Sequence, residues 1–135
     1  MTGPSAAASP RKDTNAPPMY PAATPELVAR RRELAPGIHG AWDEFSAAVF
    51  AAGALDEVTK QLIAVAAAHI TQCPYCIKGH TRKAILKGAT EEQVMEAIWI
   101  AAEMRSGGAL AHSTIALNTL SGMGDHVHGA GEARV

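Results

Sequence analysis

Apolar positions recur every three or four residues between residues 24 and 120, a spacing that predicts helices joined by short connections. A first helix is expected from Thr24 to about Leu34, because a capping residue is followed there by Pro25 at the first helical position. A second amphipathic segment follows and is expected to end at Gly53. Its large apolar side chains are Trp42, Phe45, Val49 and Phe50.

Two further helices are indicated in the middle of the chain. A third is expected to begin after Leu55, where Asp56 and Glu57 place acidic side chains at the positive end of the helix dipole. A fourth is expected to begin at Cys73 and to end at Gly88, which follows a lysine in the manner usual for a helix C-terminus. Both segments have apolar residues at helical spacing.

The last helix is signalled by a capping box, since Thr90 is followed three residues later by Gln93. This helix is expected to bend at Gly107 and Gly108 and then to resume to about residue 120. No segment shows the two-residue alternation of a strand. The pattern therefore predicts an all-α bundle of four to five helices.

Both ends of the chain lack this periodicity. Residues 1–23 are rich in Ala, Pro, Ser and Thr, and proline opposes helix propagation, so a flexible N-terminal tail is expected. Residues 121–135 contain four glycines and no apolar period, and a flexible C-terminal tail is expected there. The predicted organisation is a single helical domain, residues 24–120, between two tails.

Composition and charge narrow the function classes. Hydrophobic residues make up 47% of the chain and aromatic residues only 4%, so few large side chains are available for a core, and a homo-oligomer is hypothesised to complete the burial. The net charge is −1 with no broad basic face, which argues against a nucleic-acid partner. No apolar run approaches the roughly 20 residues of a membrane span, and a cytoplasmic location is expected.

The clearest chemical signal is a Cys-x-x-Cys-x-x-x-His motif at residues 73–80. Residues three and four apart share a helix face, so Cys73, Cys76 and His80 are predicted to line one stripe. Cys73 is placed at the helix cap and Cys76 in the first turn, where unpaired backbone N–H groups favour a thiolate. A thiolate, a second thiol and a base close together are what thiol redox chemistry requires.

The cysteines admit two other interpretations. They can be small buried hydrophobic residues, although the spacing and the nearby histidine favour chemistry. They can also supply half of a structural zinc site, but no second pair of ligands follows at a suitable spacing, and such sites need four. No metal and no organic cofactor are therefore predicted.

The motif and its flanks resemble the carboxymuconolactone decarboxylase family. The likeness covers about residues 55–120 and includes Lys-Gln-Leu-Ile-Ala-Val at residues 60–65 and Gly-Ala-Thr-Glu-Glu-Gln at residues 88–93. Within the family the chain is similar to the alkyl hydroperoxidase D (AhpD)-like branch, which has the same cysteine and histidine signature.

The resemblance implies an all-α AhpD-like fold that assembles as a trimer or hexamer and reduces a small-molecule peroxide. It further implies that Cys76 is the reactive thiol, Cys73 its disulfide partner and His80 the proton-relay residue. Re-reduction by a dithiol system is implied, either a lipoylated protein or a thioredoxin-like one. Two alternatives remain: a lyase of the decarboxylase type, and a non-enzymatic redox-sensing or metal-binding module.

One position departs from the AhpD-like pattern. The relay of that branch includes a glutamate twelve positions before the first cysteine, where this chain has Gln61. An amide cannot shuttle a proton near neutral pH, so another acid is sought. Glu57 lies one turn earlier on about the same face, and Glu103 and His112 on the last helix are the other candidates. As an alternative to a site role, His112, like His69, is interpreted as a hydrogen-bonded core histidine.

Overall fold

Five α-helices make up the structure, a computed structural model that describes residues 19–129, with side chains described to residue 123. Within these residues no strand occurs, and the predicted all-α class is confirmed. The helices are α1 (Pro25–Leu34), α2 (Pro36–Phe50), α3 (Glu57–Ile70), α4 (Pro74–Leu86) and α5 (Glu91–Gly129).

Local capping interactions fix where the helices begin, as the sequence predicted. The Thr24 side chain accepts from the Leu27 N–H, and Asp56 accepts from the Thr59 N–H at 2.6 Å. Because it accepts this bond, Asp56 has a pKa below its ordinary value. The capping box is present, with Thr90 N–H donating to Gln93 Oε1 at 2.9 Å and Gln93 N–H donating to Thr90 Oγ1 at 3.2 Å.

The core lies among α3, α4 and α5 and consists mostly of small side chains. Val65 is fully buried and is the largest side chain to be so. Alanines let the helices approach closely, which explains how a chain with few aromatic residues forms a core. The buried cluster consists of Val65, Ala84, Ala89, Val94 and Ala97.

The first two helices contribute no buried residue to this core. Asp43 of α2 joins them by accepting from Arg32 at 3.0 Å, and His39 lies 3.2 Å from the same carboxylate oxygen. Lys60 of α3 donates to the Val49 carbonyl at 2.9 Å and also to a carbonyl just beyond α2. The second helix ends at Phe50, three residues before the predicted glycine, and Lys60 caps its last turn.

The C-terminal boundary was predicted wrongly. The α5 helix passes Gly107 and Gly108 without interruption and continues to Gly129, where a tail from residue 121 was expected. An isolated glycine costs a helix about 1 kcal/mol without ending it, and alanine and leucine between these glycines favour continuation. Residues 1–18 and 130–135, the larger part of the predicted N-terminal tail and the end of the C-terminal one, lie outside the described residues.

None of the helices in the described part of the chain is long and apolar enough to cross a membrane.

Candidate active site

The two cysteines form a disulfide at the start of α4, with their Cα atoms 5.2 Å apart. Cys73 is the N-cap residue of α4, as predicted, and its Sγ accepts from the Cys76 N–H at 3.3 Å. Pro74 occupies the first helical position, where its missing N–H costs nothing. Both cysteines are half-buried. The sulfur atoms therefore lie beside the unpaired N–H groups that begin α4.

A tight connection between α3 and α4 presents this disulfide. Gln72 has a φ of 54°, in the left-handed region that residues other than glycine seldom adopt. The next residue, Cys73, donates its N–H to the Ala68 carbonyl at 3.1 Å. The strained residue thus turns the chain so that the cap of α4 is hydrogen-bonded to the end of α3.

A buried hydrogen bond joins the predicted histidine to the predicted relay position. His80 Nδ1 lies 2.9 Å from Gln61 Oε1, and Gln61 is only 4% exposed. Because an amide oxygen can only accept, Nδ1 carries the proton and donates it to this bond. The other ring nitrogen, Nε2, is then the basic one in the neutral imidazole. His80 follows Cys76 by one turn on α4.

The surroundings of His80 favour its neutral form. Burial lowers the pKa of His80 below 6.5, and the positive charge of Lys83 lowers it further. The Phe50 ring lies against the imidazole, with centroids 5.1 Å apart, and supplies part of this apolar surface. At neutral pH His80 is therefore equipped to accept a proton.

A cleft of about 530 Å³ opens among α2, α3 and α4 next to this pair. Gln61 lines it, and so does Glu57, as expected from their spacing on α3. The Glu57 carboxylate accepts from Lys87 Nζ at 2.7 Å, so it is engaged in an ion pair. The lining residues are Asp43, Ser46, Ala47, Phe50, Ala51, Glu57, Gln61, Lys83, Leu86 and Lys87.

The candidates on α5 are not among the residues that line this cleft. Glu103 and His112 are both exposed. The prediction of a hydrogen-bonded core position for His112 is wrong, because the second half of α5 has no helix packed over it. For His69 the predicted hydrogen bond is present, since Nδ1 donates to the Val65 carbonyl at 2.8 Å, but the residue is half-buried and not in the core.

Three contacts near the site were not predicted. Phe50 reaches His80 from α2, and no sequence signal pointed to that pairing. The sequence does contain a signal for Lys83, because this residue lies seven positions after Cys76 and therefore on the same helical stripe. Tyr75, between the cysteines, donates its hydroxyl to the Pro21 carbonyl at 2.7 Å, so the segment before α1 reaches the disulfide turn.

Among the described residues, no group of three or more His, Cys, Asp or Glu side chains is arranged to hold a metal ion.

Fold and site together define an all-α protein with a disulfide at a helix start and a histidine one turn later. The profile of the carboxymuconolactone decarboxylase family matches residues 36–119, and the chain belongs to that family. The match includes the whole of α3 and α4, and with them the cysteines, His80 and Gln61.

Related proteins share both sequence and fold with this chain. It is 58% identical over 93 residues to the uncharacterized protein 4 in the cox locus of Paracoccus denitrificans, covering 69% of this chain and 80% of that protein. A Methanobacterium thermoautotrophicum crystal structure is similar at a TM-score of 0.60 and 32% identity, covering 64% of this chain and 97% of its own. An apo family member from Legionella pneumophila has a TM-score of 0.58 and 33% identity, covering 69% and 83%.

Proposed function

We propose that this protein is an AhpD-like peroxidase, in which Cys76 reduces a hydroperoxide and Cys73 then closes a disulfide. The observation that carries the proposal is the disulfide at the start of α4, one turn from a histidine held by Gln61. Family membership supports it, because the motif follows the pattern of the AhpD-like branch.

The reaction balances as follows. The Cys76 thiolate attacks the outer peroxide oxygen and the O–O bond breaks, which leaves a sulfenic acid on Cys76. The departing alkoxide takes up a proton and leaves as the alcohol. The Cys73 thiol attacks that sulfur, the disulfide forms and water leaves. A dithiol reductant returns two electrons and two protons to the pair.

The positions of the two cysteines on α4 support the roles proposed for them. Cys76 lies in the first turn, where the helix dipole stabilises a negative charge, and it is one turn from His80. Neutral His80 takes the thiol proton at Nε2 and returns it to the departing alkoxide. Cys73, as the N-cap, is already next to the Cys76 N–H and is placed to attack the oxidised sulfur.

In this scheme Gln61 orients His80 and does not carry a proton. The amide oxygen holds Nδ1–H at 2.9 Å, which leaves the basic nitrogen free for the cysteine. Glu57 lines the same cleft but is paired with Lys87, and Glu103 and His112 are exposed on α5. Among the residues the structure describes, His80 is therefore the proposed relay group.

The proposal extends to partners and assembly. A dithiol protein, either lipoylated or thioredoxin-like, is the proposed reductant, and the cytoplasm, where such reductants are kept reduced, is the proposed location. A trimer or hexamer is proposed because α5 exposes large apolar side chains that a neighbouring copy would cover. Those most exposed are Trp99, Leu110, Ile115, Leu117 and Leu120.

The test is a thiol count on the reduced protein before and after one equivalent of cumene hydroperoxide. The native protein should lose two thiols, and a lipoylated or thioredoxin-like dithiol protein should restore them. Cys76→Ser should lose peroxide-dependent oxidation entirely. Cys73→Ser should undergo one oxidation, at Cys76, that ends in a sulfenic acid and is trapped by dimedone.

Other outcomes would point elsewhere. An unchanged thiol count in the native protein would refute the peroxidase proposal. Lactone-acid decarboxylation that survives loss of both cysteines would indicate the lyase. Oxidation of the pair without any turnover would indicate a redox sensor.

A further inference from the structure

Lys83 lies on the same stripe of α4 as the proposed reactive groups. It follows His80 by three residues and Cys76 by seven, and seven residues bring a helix back to within about 20° of the same direction. The rise between Cys76 and Lys83 is about 10 Å along the helix axis. Lys83 is therefore a cation about two helical turns after Cys76 on the same face of α4.

The charges of the cleft leave Lys83 without an ion-pair partner. The cleft is lined by four charged side chains, of which Glu57 and Lys87 neutralise each other at 2.7 Å. Asp43 is paired with Arg32 of α1 at 3.0 Å. Within residues 19–123 no carboxylate is within ion-pair distance of the Lys83 ammonium. The charges that line the cleft sum to zero, but among the described residues the Lys83 ammonium is the one of the four without an ion-pair partner.

The rest of the lining is largely apolar. Ala47 and Phe50 of α2 face Leu86 of α4, and the Lys83 ammonium lies 5.9 Å from the Phe50 ring centroid. The volume of about 530 Å³ is typical of small-molecule sites. His80 itself does not line the cleft, but two lining residues contact it: Gln61 by the hydrogen bond to Nδ1 and Phe50 by its ring. Apolar walls with one unmatched cation are complementary to an amphipathic monoanion.

We propose that the cleft selects organic hydroperoxides that bear a carboxylate, and that Lys83, two helical turns after Cys76, binds this carboxylate. The inference rests on the proposed peroxidase function and names the class of its substrate. An apolar chain would lie between the two ends, against Phe50 and Leu86. A neutral hydroperoxide would still react but would lack the anchoring contact.

The test compares 9-hydroperoxyoctadecadienoic acid with its methyl ester, which differs only in the charge. The native protein should oxidise with a kcat/KM about fivefold higher for the acid, the size expected of one partly exposed ion pair. The preference should shrink as salt is added, because screening weakens such a pair. Any effect of Lys83 on His80 should change kcat/KM for the acid and the ester alike, so the ester serves as an internal reference.

Three variants test whether the preference for the acid depends on Lys83. Lys83→Met should abolish the preference for the acid, and Lys83→Arg should retain it. Lys78→Met removes the same charge from an exposed position of α4 that does not line the cleft, and it should behave as the native protein does. A preference lost equally in Lys78→Met would overturn the inference, since the effect would then arise from general surface potential.

A binding measurement tests the anion site independently of the proposed peroxidase activity. Calorimetry on the oxidised protein with 9-hydroxyoctadecadienoic acid and its methyl ester requires no turnover. Acid-selective binding that depends on Lys83, with thiols inert to every peroxide, would refute the peroxidase and leave the anion site. Peroxide oxidation with equal kcat/KM for acid and ester would support the peroxidase and overturn the anion site.

Discussion

Replacing Gln61 by glutamate probes the interaction between α3 and α4 that the site depends on. The substitution preserves the length of the side chain and places a carboxylate oxygen where the amide oxygen now accepts from His80 at 2.9 Å. The position is 4% exposed, so the new charge would be poorly solvated and would interact strongly with the imidazole. We expect the variant to hold His80 protonated at neutral pH.

The size of the effect follows from two opposing contributions. Unit charges about 4 Å apart attract by about 4 kcal/mol at an effective dielectric constant near 20. Burial of the carboxylate opposes ionisation and offsets part of this attraction. An increase in the His80 pKa of about 1 to 3 pH units is the expected net result. Burial and Lys83 lower this pKa in the native protein, so the substitution reverses the direction of the shift.

Two measurements check this prediction. NMR titration of the His80 imidazole nitrogens should show protonation at a higher pH in Gln61→Glu than in the native protein. In the reduced variant, alkylation of Cys76 by iodoacetamide at pH 6 should be faster, because an imidazolium one turn away stabilises the thiolate.

The control makes the same chemical change at an exposed position. Gln93→Glu adds one negative charge in the capping box of α5, where glutamate is equally suitable, and it should leave both readouts unchanged. An unaltered His80 titration in Gln61→Glu would refute the reasoning, since it would mean that the hydrogen bond does not control the imidazole.

Three further predictions concern stability. Val65→Ala should lower the free energy of unfolding by about 2 kcal/mol in urea titrations, because it removes two fully buried methyl groups and leaves a cavity. Lys60→Met should lower it by about 1 kcal/mol and speed hydrogen exchange at the end of α2, since it removes donors to two backbone carbonyls. As the pH falls below 6.5, the unfolded chain should bind a proton at His80 before the folded chain does, so the free energy of unfolding should decrease. Urea titrations at pH 7.5 and 5.5 measure this decrease, and it should be smaller in His80→Asn.

The parts of the fold that were predictable are those encoded within a few residues. The starts of α1, α3 and α5 follow from Thr24, Asp56 and Thr90, each of which accepts from a backbone N–H close to it in sequence. The end of α5 was not predictable in the same way. Single glycines between good helix formers weaken a helix without stopping it, and no local signal decides how far such a helix continues.

The site shows the same division between local and distant contacts. The spacing of Cys73 and Cys76 at the start of one helix predicted their proximity, and it also predicted that His80 follows Cys76 by one turn. The approach of Phe50 to His80 joins residues thirty positions apart and depends on how α2 is oriented over α3 and α4. That orientation depends in part on Lys60, whose ammonium caps the end of α2, and a sequence does not disclose such a contact.

Gln61 shows how a departure from a family pattern acquires meaning only from geometry. In the sequence it is an amide where the AhpD-like branch has an acid, which indicates a missing proton carrier. In the structure its oxygen accepts from His80 Nδ1, as a carboxylate oxygen could, but an amide cannot ionise. A neutral acceptor stabilises the imidazolium less than a carboxylate would, and burial and Lys83 lower the pKa of His80, so the neutral imidazole is favoured at neutral pH.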